Sequence, residues 1–292
     1  MGALDGRVAI ITGAGRGIGR EHALLFAAEG AMVVVNDLGA TNDGTGADIS
    51  PAQQVVEEIQ AIGGQAIVNG DNVADWQGAQ RMINAAIEHF GDLDILVNNA
   101  GILRDRVLVN MTEQEWDDVI AVHLKGHFAP TRWAAAYWRE QFKAGVTKQR
   151  NIVNTSSTSG LFANPGQSNY GAAKTGIATF SQIVAKELVR YHVKSNTIAP
   201  GARTRLTLAT PGLEDIMTPK ADTFDQWDPA NISPLVAYLA SEKCAFTGET
   251  FLVQGGNVTM IESWSRGQGV DRDSRWNVNE LADALAPLAR PT

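Results

Sequence analysis

A hydroxyl, a phenol and an ammonium group stand close together in the middle of the chain. Tyr170 and Lys174 are four residues apart, so their side chains share one face of a helix. Ser157 lies thirteen residues before Tyr170, at the end of the apolar run 151–155, which predicts a buried strand. A loop containing residues 164–166 (Asn-Pro-Gly) can bring Ser157 back towards Tyr170. The three groups would then suit proton transfer to or from an alcohol or carbonyl oxygen.

The phenol of Tyr170 needs a lowered pKa to act as a base. Its ordinary pKa is about 10, and a neighbouring cation favours the phenolate. A pKa of about 7 requires roughly 4 kcal/mol of differential stabilisation, of which Lys174 could supply a part. A tyrosine and a lysine at this spacing are common on helices, so the hypothesis depends on the rest of the chain.

The composition narrows the classes of protein. With 292 residues, 44% of them hydrophobic, the chain is long enough for one large domain or two small ones. The formal charge is −8 and no basic run is present, so no nucleic-acid partner is expected. The single cysteine, Cys244, suits a reducing compartment. No signal peptide, membrane span or metal site is predicted, and we expect a cytoplasmic location.

Short apolar runs alternate with helical patterns along most of the chain. Strands are predicted over residues 7–12, 31–36, 65–68, 94–97, 151–155, 193–198 and 250–253. Helices are predicted over residues 18–29, 51–62, 75–90, 112–142, 172–190 and 233–240. Thr112 and Glu115 form a capping box at the start of the fourth helix. The alternation predicts an α/β fold with a doubly wound parallel sheet.

Four polar residues fall at the carboxyl ends of predicted strands: Thr12, Asp37, Asn98 and Ser157. In an open parallel sheet, ligands bind in the crevice beyond these strand ends. The four residues should therefore line a single site.

The glycine-rich turn after the first strand is typical of dinucleotide binding. Residues 12–19 read TGAGRGIG and join a strand to a helix. Glycines let the backbone approach a pyrophosphate, and the helix N-terminus offers free N–H groups to it. The residues expected to hold the cofactor here are Gly13, Arg16, Gly17, Ile18 and Gly19.

Asp37, at the end of the second strand, decides the expected cofactor. A carboxylate there can accept hydrogen bonds from both ribose hydroxyls and would repel a 2′-phosphate, which favours NAD over NADP. Arg16, a basic residue in the turn, could instead bind a 2′-phosphate. The other interpretation is that Arg16 is a solvated surface residue.

Later strand ends offer further cofactor contacts. Residues 71–73, which follow the third strand, are as consistent with a simple turn as with a contact to the adenine ring. At the end of the fourth strand, Asn98 is expected to form hydrogen bonds between strands, and Asn99 is expected to face the cofactor. The sixth strand should end near the nicotinamide. The expected contacts are Asp71, Asn72, Val73, Asn99, Ala100, Gly101, Pro200 and Gly201.

With these motifs in order, the chain resembles the short-chain dehydrogenase/reductase family. The resemblance covers roughly residues 6–258 and rests on TGAGRGIG (12–19), NNAG (98–101), Ser157, NYGAAK (169–174) and NTIAPG (196–201). It implies a Rossmann fold and an oxidoreductase in which Tyr170 is the acid/base. It also implies that Lys174 holds the cofactor ribose and lowers the tyrosine pKa, while Ser157 orients the substrate oxygen.

Within that family, the chain is most similar to the (3R)-hydroxyacyl-CoA dehydrogenase group. This group includes part of peroxisomal multifunctional enzyme type 2, also called 17β-hydroxysteroid dehydrogenase type 4, and stand-alone bacterial relatives. The similarity is carried by VVVNDLGA (33–40), NNAGILRDR (98–106), VHLKGHF (122–128) and SPLVAYLAS (233–241). It implies NAD-dependent oxidation of a 3-hydroxyacyl-CoA in the β-oxidation of fatty acids or steroid side chains.

One position departs from the wider family. The family usually has a catalytic asparagine, acting in part through a backbone carbonyl that anchors a water in a proton relay to the lysine. This chain has His123 there, as the multifunctional enzymes do. His123 keeps a carbonyl, so the relay can survive. The alternative is a packed histidine, and a chemical role for its side chain is the less expected of the two.

Two segments bear on substrate and assembly. The catalytic domain is expected over residues 1–258, with a substrate loop over 203–230 and a C-terminal extension over 259–292. In the loop, Arg203, Arg205 and Lys220 suit CoA phosphates, and apolar side chains suit an acyl group. An ordinary surface loop explains this composition equally well. The resemblance implies a homodimer or homotetramer, and the extension would cover the site or pack on a neighbouring subunit.

Three other functions stay open. The first is a 17β-hydroxysteroid dehydrogenase acting on free steroids, and the second an NADPH-dependent 3-oxoacyl-carrier-protein reductase, which Asp37 disfavours. The third is a non-catalytic NAD-binding sensor or scaffold, which the complete set of Ser157, Tyr170 and Lys174 disfavours. Acyl length, C3 stereochemistry and the physiological direction are not determined by the sequence.

Overall fold

The protein folds as alternating strands and helices, as the sequence predicts. A computed structural model describes residues 2–208, 213–219 and 223–289. The strands are β1 (Val8–Thr12), β2 (Met32–Asn36), β3 (Gln65–Asn69), β4 (Ile95–Asn98), β5 (Arg150–Thr155), β6 (Val193–Gly201), β7 (Thr250–Gln254) and β8 (Asn257–Ile261). The helices are α1 (Gly17–Ala28), α2 (Ser50–Ala61), α3 (Trp76–Phe90), α4 (Glu113–Ile120), α5 (Gly126–Lys143), α6 (Thr158–Phe162), α7 (Ser168–Leu188), α8 (Arg205–Leu208), α9 (Leu213–Ile216), α10 (Ser233–Ala240) and α11 (Val278–Leu285).

All the strands join one eight-stranded sheet in the order β3-β2-β1-β4-β5-β6-β7-β8. The strands β1 to β7 pair in parallel, and the strand order reverses between β1 and β4. This is the predicted doubly wound sheet. The reversal opens a crevice at the carboxyl ends of β1 and β4, where ligands bind in such folds.

The strand β8 was not predicted, because the sequence analysis ended the sheet at residue 253. β8 runs antiparallel to β7, and Gln254 pairs with Asn257 across a two-residue turn. Gly255 in that turn has a φ of +53°, which a side chain would strain. The Gly-Gly pair was the available signal for a hairpin. Most of β8 is exposed, so its residues lack the burial pattern that marks a strand.

Helices cover both faces of the sheet. One apolar core packs α1, α2 and α10 against one face, and a second packs α3, α5 and α7 against the other. The strands buried between them are near-continuous apolar runs, such as MVVVN in β2. Trp138 is a large side chain of the second core, and its indole N–H donates to the Leu93 carbonyl at 2.7 Å.

Two predicted helix boundaries need correction near the catalytic segment. The helix α7 begins at Ser168, four residues before the predicted start, and the predicted loop contains the short helix α6. The predicted helix over 112–142 is divided by a π-helical turn over Ala121–Lys125. Its start is confirmed, since Thr112 and Glu115 form both hydrogen bonds of the capping box. Single π turns are frequent at functional sites, and this one carries His123.

The chain divides into a compact unit over Met1–Ile261 and a smaller one over Glu262–Thr292. The smaller unit contains α11, whose first turn is capped by Asn277 accepting from the Glu280 N–H at 2.9 Å. Within it, the Arg272 guanidinium lies 5.3 Å from the centre of the Trp276 ring. Across the described residues, every helix is too short or too polar to cross a bilayer.

Candidate active site

The glycines of the turn after β1 let the backbone pack more closely than a residue with a Cβ would allow. Gly13 and Gly17 have φ values of +66° and +56°. A Cβ on Gly13 would lie 2.8 Å from the Ala100 Cα, and one on Gly19 would lie 2.2 Å from the Gly13 oxygen. Arg16 precedes α1 without a side-chain cap, so the first N–H groups of the helix stay available to an anion.

Asn99 supports this turn from the adjacent strand. Its side-chain N–H donates to the carbonyls of Thr12 (2.9 Å) and Gly13 (3.3 Å). Thr12 Oγ1 in turn accepts from the backbone N–H groups of Asn99 and Ala100. The Asn99 side-chain N–H groups are thus engaged with the backbone, while the residue lines the cleft and its contact with a cofactor stays a prediction.

Asn98 links strands as expected. Its side-chain N–H lies 3.0 Å from both Asn154 Oδ1 on β5 and Thr131 Oγ1 on α5. Its position is therefore determined by the sheet.

Asp37 holds a negative charge at the end of β2. One carboxylate oxygen accepts from the Gly15 N–H at 2.7 Å and the other from the Gly39 N–H at 2.6 Å. Arg205 lies near enough to feel the charges of Asp37 and Arg16, although burial is the main cause of its lowered pKa. The sequence analysis placed Arg205 in the substrate loop, whereas the structure places it near the ribose end of the crevice.

The segment after β3 is largely a structural turn. The Asp71 carboxylate pairs with the Arg81 guanidinium at 2.5 Å, and Asn72 Oδ1 accepts from the Ala74 N–H at 2.8 Å. Val73 is buried, and a Cβ on Gly126 would lie 2.8 Å from its side chain. Contact with adenine would therefore involve the surface of the turn rather than free polar side chains.

The serine, tyrosine and lysine converge where β5 leads into α6 and α7. Tyr170 and Lys174 share one helix, and the Lys174 Nζ lies 5.5 Å from the centre of the Tyr170 ring. The Ser157 hydroxyl lies within reach of the Tyr170 phenol and lowers its pKa. Lys174 is buried and donates to the Thr155 carbonyl at 2.6 Å. Ser156 Oγ donates to the Lys174 carbonyl at 2.7 Å, which fixes α7 against β5.

Burial governs the titration of these groups in the protein alone. It raises the pKa of Tyr170 to about 12, which the Ser157 hydroxyl opposes and the Asp105 charge increases. It lowers the pKa of Lys174 to about 7. Burial thus outweighs any effect of the Lys174 charge on the tyrosine pKa in the protein alone, and the expected lowering stays a prediction.

His123 is a packed side chain beside the tyrosine. Its Nε2 lies 3.1 Å from the Ile102 nitrogen and 2.8 Å from the Ile102 oxygen. The ring meets that of Tyr170 edge-on, with centres 5.1 Å apart. Burial, followed by the Lys174 charge, holds its pKa well below the ordinary range. Its side chain thus positions the backbone around Ile102, the alternative that the sequence analysis kept open.

Asn169 is a site residue that sequence reasoning missed. It is fully buried, and its side-chain N–H donates to the carbonyls of Arg104 (3.0 Å) and Glu115 (2.9 Å). Its Oδ1 accepts from the Tyr170 N–H at 2.7 Å. The signal was an asparagine directly before the tyrosine, at the start of a helix.

The basic residues of the proposed substrate loop are only partly free. Both guanidinium nitrogens of Arg203 contact the Asp225 carboxylate, and one donates to the Met217 carbonyl at 2.7 Å. Arg203 therefore braces the loop instead of offering charge to a CoA phosphate. Lys220 lies outside the described residues. Phe224 is 68% exposed and Phe162, at the edge of the crevice, 62%.

One cleft of about 670 Å³ brings together the predicted cofactor and catalytic residues. Thr12 and Asn98 were also expected to line this site, but they are buried outside its lining because both side chains hydrogen-bond within the sheet and its neighbours. It is lined by Gly13, Arg16, Gly17, Ile18, Gly19, Asp37, Asp71, Asn72, Val73, Asn99, Ala100, Gly101, His123, Ser157, Tyr170, Lys174, Pro200 and Gly201. Thr204 and Arg205 also line it and were not expected as cofactor contacts. Among the described residues, no group of three or more His, Cys, Asp or Glu side chains could hold a metal ion.

Comparison with known proteins agrees with this geometry. The chain belongs to the short-chain dehydrogenase family, whose model matches residues 7–210. The family consists of oxidoreductases that use a nicotinamide cofactor, NAD or NADP. The glycine-rich turn and the uncapped start of α1 suit the pyrophosphate of such a cofactor.

Three known proteins are similar to this chain over most of its length. A crystal structure of a short chain dehydrogenase from Mycobacterium avium is 52% identical, with a TM-score of 0.88 and coverage of 99% of this chain and 98% of that one. The hydroxyacyl-CoA dehydrogenase ChsB1 of Mycobacterium tuberculosis is 41% identical over 97% of this chain and 88% of its own. Peroxisomal multifunctional enzyme type 2 of Drosophila melanogaster is 46% identical over 91% of this chain, which spans 41% of that enzyme. These findings confirm the resemblance stated from the motifs.

Proposed function

We propose that the protein oxidises the 3-hydroxyl group of a 3-hydroxyacyl-CoA to the 3-oxo group, with NAD as the hydride acceptor. The observation that carries this proposal is the single cleft with Asp37 at one end and Ser157, Tyr170 and Lys174 at the other. A dinucleotide in such a cleft reaches from the ribose site to the groups that move a proton.

The proposed chemistry is a proton transfer coupled to hydride transfer. When bound, the oxidised nicotinamide accepts the hydride and adds positive charge near the phenol. Tyr170, as the phenolate, removes the hydroxyl proton, and Ser157 donates a hydrogen bond to the substrate oxygen. Moving the Tyr170 pKa from about 12 to near 7 requires about 7 kcal/mol of stabilisation, at about 1.4 kcal/mol per unit. Within the protein, the Lys174 ammonium contributes to this stabilisation of the phenolate.

The substrate class is supported by the relatives and by the chemistry of the entrance. One relative is named a hydroxyacyl-CoA dehydrogenase, and another is a peroxisomal multifunctional enzyme. Phe162 lines the cleft and is 62% exposed, so it offers apolar surface to a large acyl group. We therefore propose a fatty or steroid-derived acyl chain, handled in the cytoplasm.

Asp37 supports NAD rather than NADP. A 2′-phosphate on the ribose would have to lie beside the Asp37 carboxylate and would be repelled by it. Arg16 and Arg205 are close enough to offset part of that repulsion. The ratio of the kcat/KM values for NAD and NADP measures the balance between repulsion by Asp37 and attraction by Arg16 and Arg205.

We propose a homodimer or homotetramer as the assembled form. Phe128 on α5 and Ile183 on α7 are 43% and 50% exposed, and apolar side chains of this size are favourable contacts between subunits. Light scattering after size exclusion gives the molar mass. A monomer at micromolar concentration would contradict this proposal.

The function is tested by NADH formation with a panel of 3-hydroxyacyl-CoA thioesters. The panel contains both C3 epimers, short and long chains and one steroid-derived acyl group. Free 17β-hydroxysteroids are assayed beside it, and NADP replaces NAD in a parallel series. Turnover of thioesters with NAD is the expected result. Turnover of free steroids only, or with NADP only, would overturn the substrate or the cofactor assignment.

A further inference from the structure

A cluster of buried polar atoms lies at the carboxyl ends of β4 and β5, beside Lys174. Asn98 Oδ1, Thr155 Oγ1, His123 Nδ1 and His127 Nε2 are all buried without a hydrogen-bond partner among the described residues. Buried polar atoms without partners are rare, and several in one place call for a functional explanation. His127 is the member that the proposed chemistry does not yet use.

The His127 ring lies among backbone oxygens. It belongs to the first turn of α5, is only 1% exposed, and faces the backbone carbonyls of His123, Asn98 and Thr155. These carbonyls belong to the π turn, β4 and β5. The His127 imidazole is thus close to the backbone of all three elements.

The Thr155 carbonyl connects this ring with Lys174. It accepts a hydrogen bond from the Lys174 Nζ at 2.6 Å, and it is also one of the carbonyls that His127 faces. Lys174 is close enough for its charge to lower the pKa of His127. The imidazole and the ammonium are therefore neighbours that share an acceptor.

We propose that His127 is a positioning residue for Lys174. Its ring fixes the Thr155 carbonyl against the ammonium and supplies polar surface that lets the lysine stay charged in a buried place. The proposal rests on the proposed role of Tyr170 and Lys174 in proton transfer.

The charge states follow from the surroundings. Burial, with the Lys174 charge, lowers the pKa of His127 to about 3, so this ring is neutral at every pH used for activity. The titrating groups that face it are Lys174 from α7 and His123 from the π turn, and His123 is neutral as well. Lys174, with its pKa lowered to about 7 by burial, is therefore the group whose charge changes.

An apolar side chain at position 127 should deepen the desolvation of Lys174. Greater desolvation lowers a lysine pKa further, so the ammonium would be lost at a lower pH. Tyr170 would then lose a neighbouring cation, and its ionisation would require a higher pH. The pKa of Lys174 should thus fall while the pKa of Tyr170 rises.

The experiment compares His127→Leu with His127→Gln, which keeps a polar group. The Lys174 pKa is measured by NMR titration of 13C-labelled lysine in cofactor-free protein, with Lys174→Arg as the assignment control. The pH dependence of kcat and the KM for NAD are measured beside it. In His127→Leu, we expect the Lys174 pKa to fall by at least about 0.5 unit, roughly threefold in the ionisation constant. The pH at which kcat reaches half of its plateau on the acidic limb should rise by a similar amount with an unchanged KM, and His127→Gln should restore most of both.

His22 provides a matched control. It is also a buried histidine with an unpartnered Nε2 and a pKa lowered to about 3, but it lies on α1 against Ser233. His22→Leu should leave the Lys174 pKa and the pH profile unchanged. An unshifted Lys174 pKa in His127→Leu, or the same shift in His22→Leu, would overturn the proposal.

Two further results keep the inference separate from the proposed function. If His127→Leu does not fold, His127→Ala removes the ring without adding bulk and carries the same expectation. A wild-type protein that turns over no panel substrate would contradict the proposed function. The NMR titration would still test the His127 inference in that case.

Discussion

Burial is the main cause of the shifted pKa values of both Tyr170 and Lys174 in the protein alone. Burial places the phenol pKa at about 12 and the lysine pKa at about 7, so the proton rests on the phenol in the protein alone. In the proposed mechanism, Tyr170 becomes the base when a bound oxidised cofactor adds positive charge near it. Coupling the reactive state to a bound oxidised cofactor would limit proton transfer to the productive complex.

Removal of the phenolic hydroxyl separates catalysis from binding. Tyr170→Phe keeps the ring that packs edge-on against His123 and loses the group that would transfer the proton. We expect kcat to fall by about 10²–10⁴-fold, the range for general acid–base groups. NADH binding, followed by fluorescence titration, should stay within about threefold of wild type. Tyr191→Phe is the matched control, and turnover by Tyr170→Phe equal to that of the control would refute the mechanism.

A second prediction at this scale concerns Asp37. Asp37→Ala removes the carboxylate that would accept the ribose hydroxyls and repel a 2′-phosphate. The ratio of kcat/KM for NAD over NADP should fall at least about tenfold, which is about 1.4 kcal/mol. Because Asp37 also accepts from the Gly15 and Gly39 N–H groups, Asp37→Asn separates loss of charge from loss of the turn. Equal losses for both cofactors in both variants would show that this side chain does not read the ribose.

At the scale of elements, the site depends on how α7 is tied to its neighbours. Asn169 joins the first turn of α7 to the backbone of Arg104 and of Glu115 in α4. His123 joins the π turn to Ile102, and Ser156 joins β5 to α7. The tyrosine is thus held by several elements that are distant in sequence.

Asn169→Ala tests this arrangement. It removes three hydrogen bonds of a fully buried side chain and leaves two backbone carbonyls without that donor. A buried unpaired group costs about 1–3 kcal/mol, so we expect the free energy of unfolding to drop by about 2–4 kcal/mol in urea titrations. The kcat of the folded fraction should fall with it, because the tyrosine is no longer fixed. Asn164→Ala, in the loop before α7, is the control and should cost less than about 1 kcal/mol.

The elements themselves were largely accessible from the sequence. The alternation of apolar runs predicted the parallel sheet, and the spacing of Tyr170 and Lys174 predicted their shared helix. Local patterns could not give the pairing of Arg203 with Asp225 or the placement of Arg205 beside Asp37, since both depend on how a loop folds over the sheet. The hydrogen bonds of Asn169 and the surroundings of His127 were missed for the same reason, because their neighbours are backbone groups of distant elements.

At the scale of the whole molecule, the two ends of the sheet have different tasks. The carboxyl ends of the strands line the cleft, while the amino ends carry a buried charge cluster. There Arg150 pairs with Asp94 at 2.5 Å and Arg7 donates to the Asn151 side chain at 3.2 Å, with all these groups nearly inaccessible. Asp94 Oδ2 also accepts from the Val8 N–H at 2.9 Å. This end fixes β1, β4 and β5 relative to each other and leaves the cleft end free for chemistry.

Buried neutral histidines on both sides of the sheet make global stability sensitive to acid. Burial lowers the pKa of His22 and of His127 to about 3, against about 6.5 for an unfolded chain. Between these values the unfolded state binds more protons, so stability is complete above pH 6.5 and is lost as the pH falls towards 3. Each histidine should cost about 2 kcal/mol at pH 5, or about 4 kcal/mol for the pair. Urea titrations at a series of pH values measure this loss. Between pH 7.5 and pH 5, the free energy of unfolding of His22→Gln should fall by about 2 kcal/mol less than that of the wild type. An equal fall in both proteins would show that His22 is not neutral in the folded protein.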